Sequence, residues 1–124
     1  MNCSKHTLFK FILFPILLCA AIFAQHFNVE IAETGESHLF IFSDSIEGLE
    51  PGDEIGLFDS NGILDGSGAM GEILVGAGVW ADEQLEIVAI ESADLTDFGG
   101  PILPGYNPGN PLIIKIWDIC DQTE

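Results

Sequence analysis

Beyond residue 26 the chain is built from short apolar stretches, and none repeats with the 3.6-residue period of an amphipathic helix. Phe27, Val29 and Ile31 share one side of a pleat while Asn28 and Glu30 share the other. Leu85, Ile87 and Ala89 likewise oppose Glu86, Val88 and Ile90. Successive side chains of a strand point to opposite faces, so each segment offers one face to a core. Runs rich in Val, Ile and Phe at 27–32, 38–43, 54–59, 72–80, 85–91 and 112–119 are separated by Gly, Pro, Asn and Asp. This pattern predicts an all-β fold, an antiparallel β-sandwich of about six strands. Residues 38–42 and 112–116 are apolar on both faces. They read as central strands, or as strands covered by something else.

Turn chemistry divides these strands. Asn61-Gly62, between Leu57-Phe58 and Ile63-Leu64, predicts a two-residue hairpin because both residues tolerate positive φ. Glu83-Gln84 predicts a second hairpin after Trp80. Between 92 and 110, Gly99-Gly100-Pro101 and the run from Gly105 to Asn110 predict an irregular loop. Two familiar strings fall in such turns. Gly66-Ser67-Gly68-Ala69-Met70-Gly71 has dinucleotide-binding spacing, but a strand follows it, where that site needs a helix N-terminus for the pyrophosphate. Asp97-Phe98-Gly99 spells the metal-binding triplet of kinases, without the strand lysine, catalytic loop or chain length of one. It reads as a turn with Phe98 tucked inward.

Residues 1–24 follow another logic. Lys5 and Lys10 precede an apolar run from Phe11 to Ala24, which ends on a small residue. That is the pattern of a secretory (Sec) signal peptide, cut after Ala24 or alternatively after Ala21. A helix of about 14 residues spans roughly 21 Å, short of the ~30 Å hydrocarbon core, so the run exports and does not anchor. The organisation is then a leader over 1–24 and one acidic module over 25–124, secreted or held at the cell surface. With about six strands where a sandwich usually has seven or more, the module reads as truncated at its C-terminal end.

Removing the leader sharpens the charge. All 20 acidic residues lie from Glu30 onward, against Lys115 alone, and the chain has no Arg. Affinity for nucleic acid or for anionic lipid comes from Lys and Arg, so neither is a partner of the mature chain. An extracellular protein or glycan fits better. Cys3 and Cys19 leave with the leader, so Cys120 stands alone and the apolar core must carry the fold without a disulfide framework.

The candidate metal ligands are Asp59, Asn61 and Asp65, whose oxygens recur at a spacing that suits a Ca²⁺ loop. The helix–loop–helix calcium motif fails here, because Ile63 and Leu64 stand at its fifth and sixth positions. Trp80 and Tyr106, together with Trp117, could stack on a sugar ring. Core packing suits the two Trp residues equally, whereas Tyr106, in the Gly/Pro loop, is expected to be exposed. These features make a Ca²⁺-dependent carbohydrate-binding module the alternative to a plain binding or structural module. No catalytic residues are expected: His26 and His38 lack a catalytic context, and no nucleophile elbow exists.

Leu49-Glu50-Pro51-Gly52-Asp53-Glu54-Ile55-Gly56-Leu57-Phe58-Asp59, followed by Glu72-Ile73-Leu74-Val75-Gly76-Ala77-Gly78-Val79-Trp80, resembles modules of large secreted bacterial proteins that often carry a C-terminal type IX secretion sorting domain. Phe98-Gly99-Gly100-Pro101 and Ile114-Lys115-Ile116-Trp117-Asp118 fit the same pattern. The resemblance covers about 27–118 and implies an exported, non-enzymatic β-domain. It supplies no catalytic residue and includes no sorting domain here.

Overall fold

A computed structural model describes residues 25–124, and the leader read over 1–24 lies outside the described residues. The chain is all-β. Seven strands run β1 (Ser37–Phe42), β2 (Glu54–Ile63), β3 (Met70–Val79), β4 (Leu85–Ile90), β5 (Ala93–Asp94), β6 (Ile102–Leu103) and β7 (Ile113–Trp117), with one 3-10 turn at Thr96–Phe98. They form a three-stranded sheet ordered β3-β2-β7, a two-stranded sheet β1-β4 and a short ribbon β5-β6, all antiparallel.

The two larger sheets face each other across the core. Ile55, Leu57 and Val75 come from one side, Ile87 and Ala89 from the other, and Trp80 and Tyr106 close the ends. The inward positions of β3 opposite Leu57 and Ile55 are Gly76 and Gly78. A Cβ on Gly76 would lie 2.8 Å from the Val88 carbonyl oxygen, and one on Gly78 would lie 3.0 Å from Ile87. Glycine at both sites lets β4 approach the β3 backbone, which explains the Gly-x-Gly of the VGAGV run.

Two Pro-Gly turns frame the sandwich. In Glu50-Pro51-Gly52-Asp53 the Asp53 N–H donates to the Glu50 carbonyl at 2.9 Å, and in Asn107-Pro108-Gly109-Asn110 the Asn110 N–H donates to Asn107 at 3.0 Å. Gly52 and Gly109 have φ of 101° and 93°, as a turn with Pro second and Gly third requires.

Several local expectations are corrected. Residues 27–32 form no strand. Phe27 instead lies over the outer face of β2, where its ring would come within 3.0 Å of a Cβ on Gly56. Asn61-Gly62 is an irregularity inside β2, with Asp59 opposite Ile73 and Gly62 opposite Gly71. The hairpin tip lies further on, where Gly68 N–H donates to Asp65 at 3.1 Å and Leu64 N–H to Ala69 at 2.7 Å. The segment around Glu83-Gln84 is no hairpin either, since β3 and β4 belong to different sheets. Phe98 does not tuck inward; it is 88% exposed at the tip of the β5-β6 ribbon. The strands apolar on both faces, β1 and β7, sit at sheet edges and not at the centre. Cys120 does not stand alone: it is disulfide-bonded.

Candidate functional site

β2 is the central strand of its sheet, and three carboxylates at or directly before it are almost wholly buried: Asp53, just ahead of the strand (3% exposed), Glu54 (6%) and Asp59 (1%). Burying a charge is costly unless donors surround it. Each of the three meets N–H groups from a segment remote in sequence. Asp53 accepts from the Glu50 N–H at 2.8 Å and the Ile119 N–H at 3.0 Å. Glu54 accepts from the His26 N–H at 3.0 Å and the Phe27 N–H at 2.9 Å. Asp59 accepts from the Asn61 N–H at 2.8 Å and the Asn107 N–H at 2.9 Å, while Asn110 Nδ2 reaches both of its oxygens at 3.1 and 3.0 Å. The three acids therefore pin the C-terminal segment, the N-terminal segment and the Gly/Pro loop to one strand.

This arrangement occupies the oxygens of the candidate calcium loop with protein donors. The hydrogens of three donors aim at Asp59, and a cation in the same place would confront them. Asn61 turns its carbonyl to Asn107 Nδ2 at 3.0 Å and Asn110 Nδ2 at 3.2 Å. Asp65 stands apart at the hairpin tip and takes the Ser67 N–H at 2.9 Å and the Ser67 hydroxyl at 2.5 Å. The Ser67 hydroxyl, then its N–H, hold the Asp65 carboxyl below its usual range. Among the described residues no cluster of three His, Cys, Asp or Glu could hold a metal ion. Asp59 and Asn61 are thus joined through the Asn107 and Asn110 donors, while Asp65 is engaged separately by Ser67. The melting temperature is expected to be the same in excess Ca²⁺ and in chelator. A ligand present at 100 times its Kd would instead add about 2.7 kcal/mol.

The aromatic candidates are equally committed to structure. Trp80 is 1% exposed, and its Nε1–H donates to Asp82 at 3.1 Å. Tyr106, expected in solvent, is 4% exposed. It belongs to a two-residue strap between the sheets. Gly105 exchanges hydrogen bonds with Ile63 at 2.8 and 3.1 Å, while Tyr106 donates to Ile90 at 3.0 Å and accepts from Ser92 at 2.9 Å. Trp117 is half-buried and stacks on His26 with ring centroids 3.7 Å apart.

The strap brings together a group that the sequence did not indicate. The Tyr106 hydroxyl donates to Glu91 Oε2 at 3.1 Å and faces His38 Nδ1, which itself lies 3.2 Å from the same oxygen. Burial, then the hydrogen bond and charge of Glu91, push the Tyr106 phenol up to about 12. The neutral phenol is favoured in the fold. Its contribution to stability is therefore complete below pH ~10 and declines as pH rises from there towards 12. Tyr106 is the only tyrosine of the chain, so phenolate absorbance reports on it alone. The native protein is expected to show no phenolate step near pH 10, and unfolding in urea should restore it.

Outside the core the most exposed apolar surface on paired strands is the outer face of β1-β4. Leu39, Ile41 and Val88 are 55%, 58% and 54% exposed, and Leu39 pairs directly with Val88. Among the described residues β1 pairs with no strand other than β4, which makes it an edge strand. A cleft of about 200 Å³ adjoins this face, lined by Val88 and Ile90 together with Glu33, Thr34 and Glu36. No family model, no curated protein and no solved structure matches this chain.

Proposed function

We propose that this chain is an exported, non-catalytic β-sandwich module that binds a partner outside the cell through the outer face of β1-β4. The carrying observation is the exposure of Leu39, Ile41 and Val88 side by side on one sheet face. Contiguous apolar patches on a soluble chain mark interaction sites, and an open strand edge invites pairing. The basic and apolar leader pattern supports export, as does the resemblance to modules of secreted bacterial proteins. The acidic chain suits a solvated exterior. The carboxylates that would be the natural candidates for chemistry are consumed in holding segments to β2.

A photoreactive side chain at position 41, introduced in the producing cell, tests this reading. It should give a cross-linked product of defined mass in the exported fraction, while the same group at Glu83 should give none. Equal yields from the two positions, or none from position 41, would contradict it.

A further inference from the structure

We infer that the β1-β4 face receives an extended, lysine- or arginine-bearing segment of another polypeptide, an identification that rests on the binding reading above. The cleft beside the face has two kinds of wall. Val88 and Ile90 are apolar, and the lining also includes the acidic residues Glu33 and Glu36. A lysine or arginine side chain has the same two-part character, an aliphatic stem and a cationic head. Its stem would lie on Val88 and Ile90 and its head between Glu33 and Glu36. Neighbouring apolar side chains of the segment, two residues apart, would cover Leu39 and Ile41.

The loop that carries the acids is fixed before any partner arrives. Thr34 Oγ1 donates to the Glu91 carbonyl at 2.5 Å and to Glu36 O at 3.2 Å, and it accepts from the Glu36 N–H at 3.2 Å. Glu91 N–H closes the loop onto Glu36 O at 3.0 Å. Further along the same face Glu86 pairs with Ile41, adding negative charge beside the apolar strip. Among the described residues the one lysine is elsewhere: Lys115 lies on β7, 3.3 Å from Glu72 Oε2 and 4.5 Å from the Phe58 ring centre. A second copy of this chain would bring its own excess of carboxylates to the face and be repelled. A basic strand is attracted by the same charge.

The test uses the exported full chain and three short blocked peptides that alternate valine with lysine, with threonine or with glutamate. The valine–lysine peptide should bind at least about tenfold more tightly than the glutamate one at low salt, with the gap narrowing in high salt. Leu39→Lys should abolish binding without moving the melting temperature. The Glu33→Gln/Glu36→Gln pair should remove the preference for lysine and leave the threonine peptide unaffected. Equal binding of the threonine and lysine peptides, both lost in Leu39→Lys, would overturn the cationic partner while leaving the docking face in place. Binding that survives Leu39→Lys, or no binding by any peptide, would overturn the proposal outright. A concentration-dependent dimer dissolved by Leu39→Lys would replace the basic segment with a second copy.

Discussion

Asp59→Ala is expected to cost about 3–5 kcal/mol, because it strips the acceptor from a buried set of donors and leaves them unpaired. The carboxylate is 1% exposed, so water does not take its place easily. The N–H groups of Asn61 and Asn107 lose their acceptor, and so does the Asn110 amide. The loss should spread beyond the site, since the Gly/Pro loop continues directly from the strap at Gly105 and Tyr106. In a domain of this size each kcal/mol lowers the melting temperature by about 4–8 °C, so a fall of more than ~12 °C is expected. Asp59→Asn should lie between the two, because one oxygen still accepts while the new amide group confronts a donor. A melting temperature for Asp59→Ala within a few degrees of the parent would show that the loop is held by something else.

The second large effect belongs to Gly105→Ala. A Cβ at this position would stand 2.5 Å from both the Glu91 carbonyl carbon and the Ser92 nitrogen, and 2.8 Å from the Ile90 oxygen. All three are backbone atoms at the end of β4, so no side-chain rotation relieves the contact. The strap must lift, and its pairs with Ile63, Ile90 and Ser92 go with it. Overpacking alone costs about 1–3 kcal/mol, and the lost hydrogen bonds add roughly 1 kcal/mol each. The expected total of about 5–7 kcal/mol should appear in urea unfolding as a shifted midpoint. An increased phenolate signal from Tyr106 below pH ~11 would accompany it, as the strap carries that phenol out of the core. A Gly105→Ala protein as stable as the parent would mean that the two sheets are joined by other contacts.

The strands were legible where alternation and β-branched residues coincide, as in β2, β3 and β4. The alternation at Phe27, Val29 and Ile31 has a different origin. Phe27 is buried by docking over Gly56, held by Glu54, and not by pairing with a neighbouring strand. Asn61-Gly62 has the composition of a hairpin turn, yet Gly62 lacks a Cβ for another reason: one would lie 2.9 Å from the Gly105 oxygen. Tyr106 was misplaced because a Gly/Pro-rich stretch reads as surface loop, and local composition does not show that it threads between two sheets. The acids on β2 were countable but not their donors, which come from residues 26–27, 107–110 and 119. One local signal was available. Asp53, directly after Pro51-Gly52, closes a turn onto Glu50. The β1 sequence, apolar on both faces, reads as a central or covered strand, yet β1 lies at a sheet edge with Leu39 and Ile41 more than half exposed, because composition does not show which strands pair.

The central claim is that buried carboxylates on β2 and directly before it hold remote, non-strand segments in place. Amide hydrogen exchange on the protein tests it most directly. The N–H groups of Phe27, Asn107 and Ile119 lie outside every strand, and each donates to one of these carboxylates. They should exchange as slowly as the amides in the middle of β2, and only through opening of the whole fold. Exchange of all three at the rate of an open loop, while β2 stays protected, would contradict the claim.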